Sequence, residues 1–139
     1  VIKKVNLIII NDEEAQQLTD EKNIFNAGEK ILKMGPEKVI IKKGEHGSIF
    51  LDQQNKYMLP AFPVENLVDP TGAGDSFAGG IAGFLATASE IGIREIKEAM
   101  LYGTLMASFC VEDFGIEGLR TLDNQTLNKR LKIFKSYLT

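Results

Sequence analysis

The sequence contains few of the residues that build disulfides and metal clusters: its 139 residues include one cysteine, one histidine and no tryptophan. A single cysteine, Cys110, excludes an internal disulfide and a zinc site made of cysteines. The single histidine, His46, excludes a histidine-rich metal site, and a Ser-His-Asp hydrolase would have to be built on it. Because Cys110 lies in an apolar context, we predict a small buried side chain there.

The chain also lacks an excess of positive charge and a long apolar run. Its net charge is −3, which gives no basic surface for nucleic acid or anionic lipid. The longest apolar stretch, residues 77–88, is shorter than the roughly 20 residues that span a bilayer. No signal peptide is recognisable at the start. We therefore expect neither nucleic acid nor a membrane as a partner, and a cytoplasmic location.

Apolar runs alternate with amphipathic segments along the chain, which predicts an α/β layer fold in one domain. Runs such as 39–41 are typical of strands buried in a parallel sheet. The predicted strands cover 5–10, 39–41, 48–51, 57–59 and 62–64, with a hairpin-like turn at 44–47. The predicted helices are a short one through Leu18, one from Ile24 that stops at Gly35–Pro36, and three at about 75–89, 94–111 and 123–137, the last with Asp123 as N-cap.

The most informative stretch is residues 68–80, VDPTGAGDSFAGG. Gly72 and Gly74 allow a tight turn with uncovered N–H groups, and the apolar run that follows predicts a buried helix. A glycine turn that leads into a helix N-terminus gathers amide donors and positive dipole charge, which favours phosphate. Asp75 lies at the same point, and a carboxylate there could accept the proton of an attacking hydroxyl.

Two other phosphate motifs do not fit this stretch. A dinucleotide-binding G-x-G-x-x-G would need a third glycine at position 77, where the chain has Phe77. A Walker A loop needs glycine followed by lysine, and no glycine here is followed by lysine. For Asp75 the structural alternative is a helix N-cap, since aspartate is a favoured cap in any protein.

The stretch 68–80 resembles the second signature of the ribokinase-like (pfkB) carbohydrate kinases, which move the ATP γ-phosphate onto a sugar or nucleoside hydroxyl. The resemblance implies a three-layer α/β sandwich with a mainly parallel sheet flanked by helices. Residues 1–139 would be its C-terminal ATP-binding and catalytic half, because family members are about twice this length. By the same resemblance Asp75 would be the catalytic base, and the N–H groups of Gly72, Ala73 and Gly74 would form the anion hole.

The resemblance further implies ATP and Mg²⁺ as cofactors. Asn11 and Glu14 have the N-x-x-E spacing that the family carries before a helix, so Glu14 would order the magnesium hydration shell and Asn11 would lie near the phosphates. The alternative is a capping box at the start of that helix. Acidic residues in a first helical turn are also what the helix dipole favours.

A second nucleotide-binding candidate is the turn at 43–47. The family has a Gly-x-x-Gly turn here that lies alongside ATP, and Gly44 and Gly47 match it, with Glu45 between them. The alternative is a plain glycine turn between two strands. Lys43 could meet phosphate as a point charge or could simply be solvated.

A third expectation from the resemblance is a monovalent cation, usually K⁺, behind the anion hole. Asp69 and the Thr71 carbonyl would bind it, together with carbonyls of the segment 110–118. The two acids at 112 and 113 depart from what we expect in ribokinase itself. The adenine would lie against Gly103 to Ala107, for which close helix packing is an equal alternative.

The resemblance leaves the substrate open, because in this family the sugar pocket and lid come mainly from an N-terminal half. The expected partners are ATP and a small-molecule sugar or nucleoside, and a homodimer would form through that lid. A non-catalytic nucleotide-binding module is the alternative function.

Overall fold

The structure is a computed structural model that describes residues 5–114 and 117–139 of the chain. The chain divides into two compact units, one ending at Ala61 and the other beginning at Phe62. Among the described residues, the first unit holds every strand and two helices, and the second unit holds only helices.

The first unit is a mixed four-stranded sheet with two helices. Its strands are β1 (Leu7–Asn11), β2 (Lys38–Lys42), β3 (Ser48–Leu51) and β4 (Lys56–Leu59), and its helices are α1 (Asp12–Thr19) and α2 (Ile24–Lys33). The strand order follows the chain, with β1 parallel to β2 and the other two pairs antiparallel. The helices supply the crossover that parallel neighbours need. Only a short turn joins β2 to β3, and a short turn can join only antiparallel strands.

The core of the first unit packs one face of the sheet against its two helices. Side chains alternate across a strand, so Val39 and Ile41 share a face, and both are fully buried. They belong to one apolar cluster with Ala15 of α1 and Ile31 of α2. This packing fixes where β1 and β2 end, and the polar residues at 11–14 and 43–47 begin at those ends.

The second unit consists of helices. They are α3 (Ala73–Ala86), α4 (Ile93–Val111), the short α5 (Glu117–Arg120) and α6 (Asn124–Leu138). The predicted N-cap of α6 is confirmed: the Asp123 carboxylate accepts the Thr126 N–H at 2.7 Å, and this hydrogen bond lowers the pKa of the Asp123 carboxyl. No helix in the described part of the chain has the length and apolar character needed to cross a bilayer.

The predicted strand at 62–64 is wrong, since these residues adopt neither strand nor helix. Pro63 cannot donate a hydrogen bond to a sheet ladder. Phe62 instead packs on α6, with its ring edge-on to Phe134 at 5.6 Å between centroids and stacked on Tyr137 at 6.3 Å. Phe62 therefore contributes to helix packing rather than to the sheet.

Helices α3 and α4 touch backbone to backbone where Gly80 meets Gly103. A Cβ placed on Gly80 would lie 2.8 Å from the Gly103 Cα, and one placed on Gly103 would lie 2.7 Å from the Phe77 carbonyl oxygen. Real Cβ atoms do not approach backbone atoms so closely. The two glycines therefore set the distance between the helices, and with it the position of the α3 N-terminus relative to α4.

This contact predicts opposite effects for the same substitution at two glycines of α3. Gly80→Ala should destabilise the protein by about 1–3 kcal/mol, because the added methyl overpacks the helix contact. Gly83→Ala is the matched control: a Cβ there meets nothing within 4 Å, so it should stabilise by about 0.5–1 kcal/mol through helix propensity. Urea unfolding of both variants measures the difference, and equal midpoints would contradict the packing account.

Candidate functional site

The Gly72 turn, residues 69–75, leads the chain into α3. Gly72 has φ 83° and is the N-cap of the helix. This left-handed conformation is open to glycine at little cost and strained for most other residues. The Ala73 N–H donates to the Pro70 carbonyl at 3.2 Å, and the Ser76 N–H donates to the Gly72 carbonyl at 2.9 Å. The first turn of α3 therefore begins at the glycine motif itself.

Asp75 is the third residue of α3, and its side chain is exposed. The reading of Asp75 as an N-cap is wrong, because the cap is Gly72, three residues earlier. Within residues 5–114 and 117–139, no hydrogen bond or ion pair engages the Asp75 carboxylate. The carboxylate lies in the first helical turn, where the dipole favours negative charge. It is thus available for chemistry at the surface.

Gly72, Ala73 and Gly74 follow one another at the helix start, as the anion-hole prediction requires. The N–H groups at the start of an α-helix point out of its N-terminal end, and here the Ala73 N–H also donates to the Pro70 carbonyl at 3.2 Å. They carry the positive end of the dipole, to which phosphate groups bind in proteins. The arrangement of amides and carboxylate in one turn can therefore hold an anion beside a base.

A cavity of about 550 Å³ lies against this turn. Its lining includes Thr71, Gly72, Asp75 and Ser76 from the turn and α3, together with Met106, Cys110 and Leu119. The Asp75 carboxylate therefore faces a space large enough for part of a small-molecule ligand.

The C-terminal end of α4 is hydrogen-bonded to the Gly72 turn and to the residue before it. The Val111 carbonyl accepts two N–H groups, from Val68 at 2.8 Å and Asp69 at 3.1 Å. The buried Cys110 thiol donates to the Thr71 carbonyl at 3.5 Å. The prediction that Cys110 is buried is confirmed. Its contact with the turn was missed, because nothing in the sequence links two segments about 40 residues apart.

The predicted monovalent-cation ligands form part of the same turn. The Asp69 carboxylate accepts the Thr71 N–H at 3.0 Å, and the Thr71 carbonyl accepts from the Cys110 thiol. Carboxylate and carbonyl oxygens are suitable ligands for a hard cation, so these donors fit the expectation. Of the segment 110–118, residues 115 and 116 lie outside the described residues. Within that segment, the Val111 carbonyl already accepts the N–H groups of Val68 and Asp69.

Asn11 and Glu14 form a complete capping box at the end of β1. The Asn11 side chain accepts the Glu14 N–H at 2.7 Å, and Glu14 Oε2 accepts the Asn11 N–H at 2.9 Å. The predicted alternative, a capping box, is therefore present in the structure. It does not compete with a role near magnesium, because Glu14 remains exposed and Mg²⁺ in proteins keeps most of its waters. Among the described residues, no three His, Cys, Asp or Glu side chains cluster to hold a metal.

The turn at 43–47 lies at the same end of the sheet. Asn11 pairs in register with Lys42, so the residues that follow β1 and β2 begin side by side. Gly44 and Gly47 have φ 57° and 90°, and a Cβ on Gly47 would overlap the Leu59 carbonyl. Gly47 is thus required by the fold. Gly44 and Glu45 are exposed and Lys43 is half-buried. The structure brings Asn11, Glu14, Lys43, Gly44, Glu45 and Gly47 together in the first unit.

The predicted adenine-binding residues lie on α4. Gly103 is buried against α3, so close helix packing, the alternative interpretation, accounts for this glycine. Ala107 is half-buried. The α4 residues that line the cavity are Met106 and Cys110 instead. Sequence reasoning missed Met106, since a methionine in an apolar helix is typical of any core.

The family model of the pfkB family carbohydrate kinases matches residues 1–120. The chain belongs to the pfkB family. It is 32% identical over 122 residues to the bifunctional ribokinase/ribose-5-phosphate isomerase A of Fructilactobacillus sanfranciscensis, which covers 84% of this chain and 22% of that protein. It is 34% identical over 108 residues to the ribokinase of Bacillus subtilis, which covers 78% of this chain and 33% of that protein.

Solved structures of kinases share the fold of this pfkB family member. The aminoimidazole riboside kinase of Salmonella enterica, complexed with aminoimidazole riboside and an ATP analogue, superimposes with a TM-score of 0.83 at 24% identity, covering 94% of this chain and 43% of that chain. The ribokinase of Arabidopsis thaliana, complexed with ribose and ATP, gives 0.81 at 25% identity, covering 94% and 42%. The predicted ribokinase-like α/β fold is confirmed, with a mixed sheet in this chain.

The chain is short for the pfkB family. It spans 22% of the bifunctional relative and 33% of the Bacillus subtilis ribokinase. It also spans less than half of each of the two kinase structures. The alignments therefore cover only part of each relative.

Proposed function

We propose that the protein containing this chain is an ATP-dependent kinase that phosphorylates a hydroxyl group of a sugar or nucleoside. Residues 1–139 would be its C-terminal ATP-binding and catalytic half. The observation that carries the proposal is the exposed Asp75 carboxylate beside the left-handed Gly72 at the start of α3. The relatives named ribokinase, cytidine kinase and nucleoside kinase are in keeping with that activity.

Asp75 acts as the general base in this proposal. The acceptor hydroxyl oxygen attacks the γ-phosphorus of ATP in line with the bond to the leaving oxygen. A new O–P bond forms, the bond to ADP breaks, and the hydroxyl proton passes to the Asp75 carboxylate. Phosphoryl transfer needs little covalent chemistry from the protein, so catalysis comes from positioning and electrostatics.

The amides of Gly72, Ala73 and Gly74 hold the transferring phosphoryl group. Negative charge spreads over its equatorial oxygens in the transition state, and preorganised N–H donors stabilise such charge. The α3 dipole adds positive charge at the same point. The left-handed conformation, which glycine adopts at little cost, keeps the turn tight enough at Gly72 for the backbone to reach the phosphate.

The first unit contributes nucleotide-binding residues. Magnesium would supply positive charge that offsets the charge of the phosphates. Glu14 would order its water shell, and Asn11 would lie near the phosphates. Residues 43–47 would lie alongside the nucleotide, with Lys43 as a point charge for phosphate and Gly44, Glu45 and Gly47 forming the turn.

The second unit would place further groups around the Gly72 turn. K⁺ at Asp69 and the Thr71 carbonyl would steady the amides from behind. The adenine would rest near the part of α4 that includes Ala107. In the family, the sugar pocket and the lid belong to the part of the kinase that this chain does not cover, and so would a homodimer interface. The chain alone should therefore bind ATP weakly and phosphorylate no sugar at a useful rate.

The first experiment replaces the proposed base in the complete protein. Asp75→Asn should lower kcat about a thousandfold with little change in ATP affinity, because the amide cannot accept the hydroxyl proton. ADP release is measured with a panel of sugars and nucleosides. Asp20→Asn is the matched control: Asp20 is exposed and has φ 56°, a conformation that asparagine tolerates, and activity should be retained.

Two results would contradict the proposed function. If the Asp75→Asn variant were as active as the wild type, Asp75 would not be the general base. A wild-type protein that binds ATP but releases no ADP with any substrate would favour a non-catalytic nucleotide-binding module.

A second experiment separates the two roles of Glu14. Glu14→Gln should leave the melting temperature unchanged, because glutamine also completes a capping box. The Mg²⁺ concentration for half-maximal activity should rise by about 10-fold or more, since the residue that orders the metal's water shell loses its charge. The control is Glu13→Gln, in the same helical turn and also exposed. If both variants respond equally to Mg²⁺, Glu14 has no specific role there.

A further inference from the structure

Arg130 on α6 reaches across to the C-terminal end of α4. Its Nη2 donates to both carboxylate oxygens of Glu112, at 3.0 and 2.8 Å, and its Nη1 donates to the Ser108 hydroxyl at 2.9 Å. The Arg130 side chain is 19% exposed and that of Glu112 31% exposed. One guanidinium nitrogen thus contacts both carboxylate oxygens and the other contacts Ser108, and these charge-assisted hydrogen bonds restrain both side chains.

Two aromatic rings hold the same guanidinium group. Its central carbon lies 3.7 Å from the ring centroid of Phe109 and 4.9 Å from that of Phe62. Arginine combines this stacking with planar carboxylate recognition, whereas lysine supplies only a point charge. Arg130 is therefore held on three sides, by Glu112, Ser108 and the rings.

Glu112 occupies an electrostatically unfavourable position that Arg130 corrects. It is the C-cap of α4, and the last turn of that helix contains no basic residue. The C-terminal end of a helix carries partial negative charge, which disfavours a carboxylate and favours a cation. Without Arg130, the charge of Glu112 would repel the carbonyl groups at the end of α4.

One of those carbonyl groups holds the Gly72 turn. Val111 directly precedes Glu112, and its carbonyl accepts the N–H groups of Val68 and Asp69. Asp69 in turn accepts the Thr71 N–H at 3.0 Å. Arg130 is thus connected to the residue before Gly72 by hydrogen bonds at Glu112, Val111 and Asp69, with the backbone of α4 joining Glu112 to Val111.

We propose that Arg130 is a positioning residue for the Gly72 turn, acting through Glu112 and the end of α4 without touching substrate. The inference rests on the proposed function, in which the amides of that turn hold the transferring phosphoryl group. It also gives the acid at position 112 a role, which the resemblance to ribokinase left unexplained. A small displacement of the amides should lower the rate of phosphoryl transfer more than it lowers nucleotide affinity.

The test compares two substitutions on α6 in the complete protein. Arg130→Met should lower kcat about 10- to 100-fold, with the KM for ATP changed much less. The matched control is Lys135→Met: Lys135 also joins α6 to α4, through Glu98 at 3.7 Å, near the opposite end of α4. It should leave kcat within about twofold of the wild type, since exposed ion pairs contribute little.

Two further variants distinguish positioning from general stabilisation. Arg130→Lys keeps the positive charge and should retain more activity than Arg130→Met. Adding Glu112→Gln to Arg130→Met removes the repulsion at the helix end and should restore part of kcat. If the double variant is no better than Arg130→Met, or if Lys135→Met lowers kcat equally, the proposal is overturned.

Amide hydrogen exchange provides a readout independent of activity. Loss of Arg130 should speed exchange at the Val68 and Asp69 N–H groups about tenfold or more, and Lys135→Met should not. A wild-type protein without kinase activity would refute the proposed function. The exchange rates would then still test whether Arg130 positions the Gly72 turn. Unchanged exchange at both amides in Arg130→Met would overturn the inference in either case.

Discussion

The Val111 carbonyl, at the last residue of α4, is the acceptor on which the candidate site depends. It accepts hydrogen bonds from the N–H groups of Val68 and Asp69, and so fixes the point at which the chain enters the Gly72 turn. The contact between Gly80 and Gly103 fixes α3 against the same helix. Because both ends of the turn are tied to α4, hydrogen bonds and helix packing constrain the positions of the amides and the Asp75 carboxylate, and the proposed electrostatic catalysis would need such preorganisation.

The two units place polar groups by different physical means. In the first unit, strand ends do so: the parallel pair of β1 and β2 sets the capping box beside the turn at 43–47. In the second unit, a helix N-terminus concentrates backbone donors and one carboxylate. Neither arrangement needs buried charge, since Glu14 and Asp75 are both exposed. The cost of desolvating them would arise only when a ligand binds.

Local signals in the sequence predicted much of the fold. Apolar runs located β2 and β3, and Asp123 was identified as the cap of α6 because capping depends on residues three apart. A capping box was the alternative interpretation of the N-x-x-E pattern at Asn11, and the structure shows that box. The glycine motif identified the Gly72 turn, although the helix begins at Ala73 rather than Asp75, which is why the capping interpretation of Asp75 failed.

Features that depend on distant segments could not be predicted. Phe62 suggested a strand but packs on α6, and Gly103 suggested room for a purine but admits the backbone of α3. The pairing of Arg130 with Glu112 joins residues 18 positions apart on different helices, and no periodicity reveals it.

The most direct measurement is a crystal structure of the complete protein with a non-hydrolysable ATP analogue and an acceptor substrate. The account predicts the acceptor hydroxyl within about 2.6–3.2 Å of the Asp75 carboxylate and the γ-phosphate at the Gly72–Gly74 amides. A γ-phosphate bound away from the Gly72 turn would contradict it.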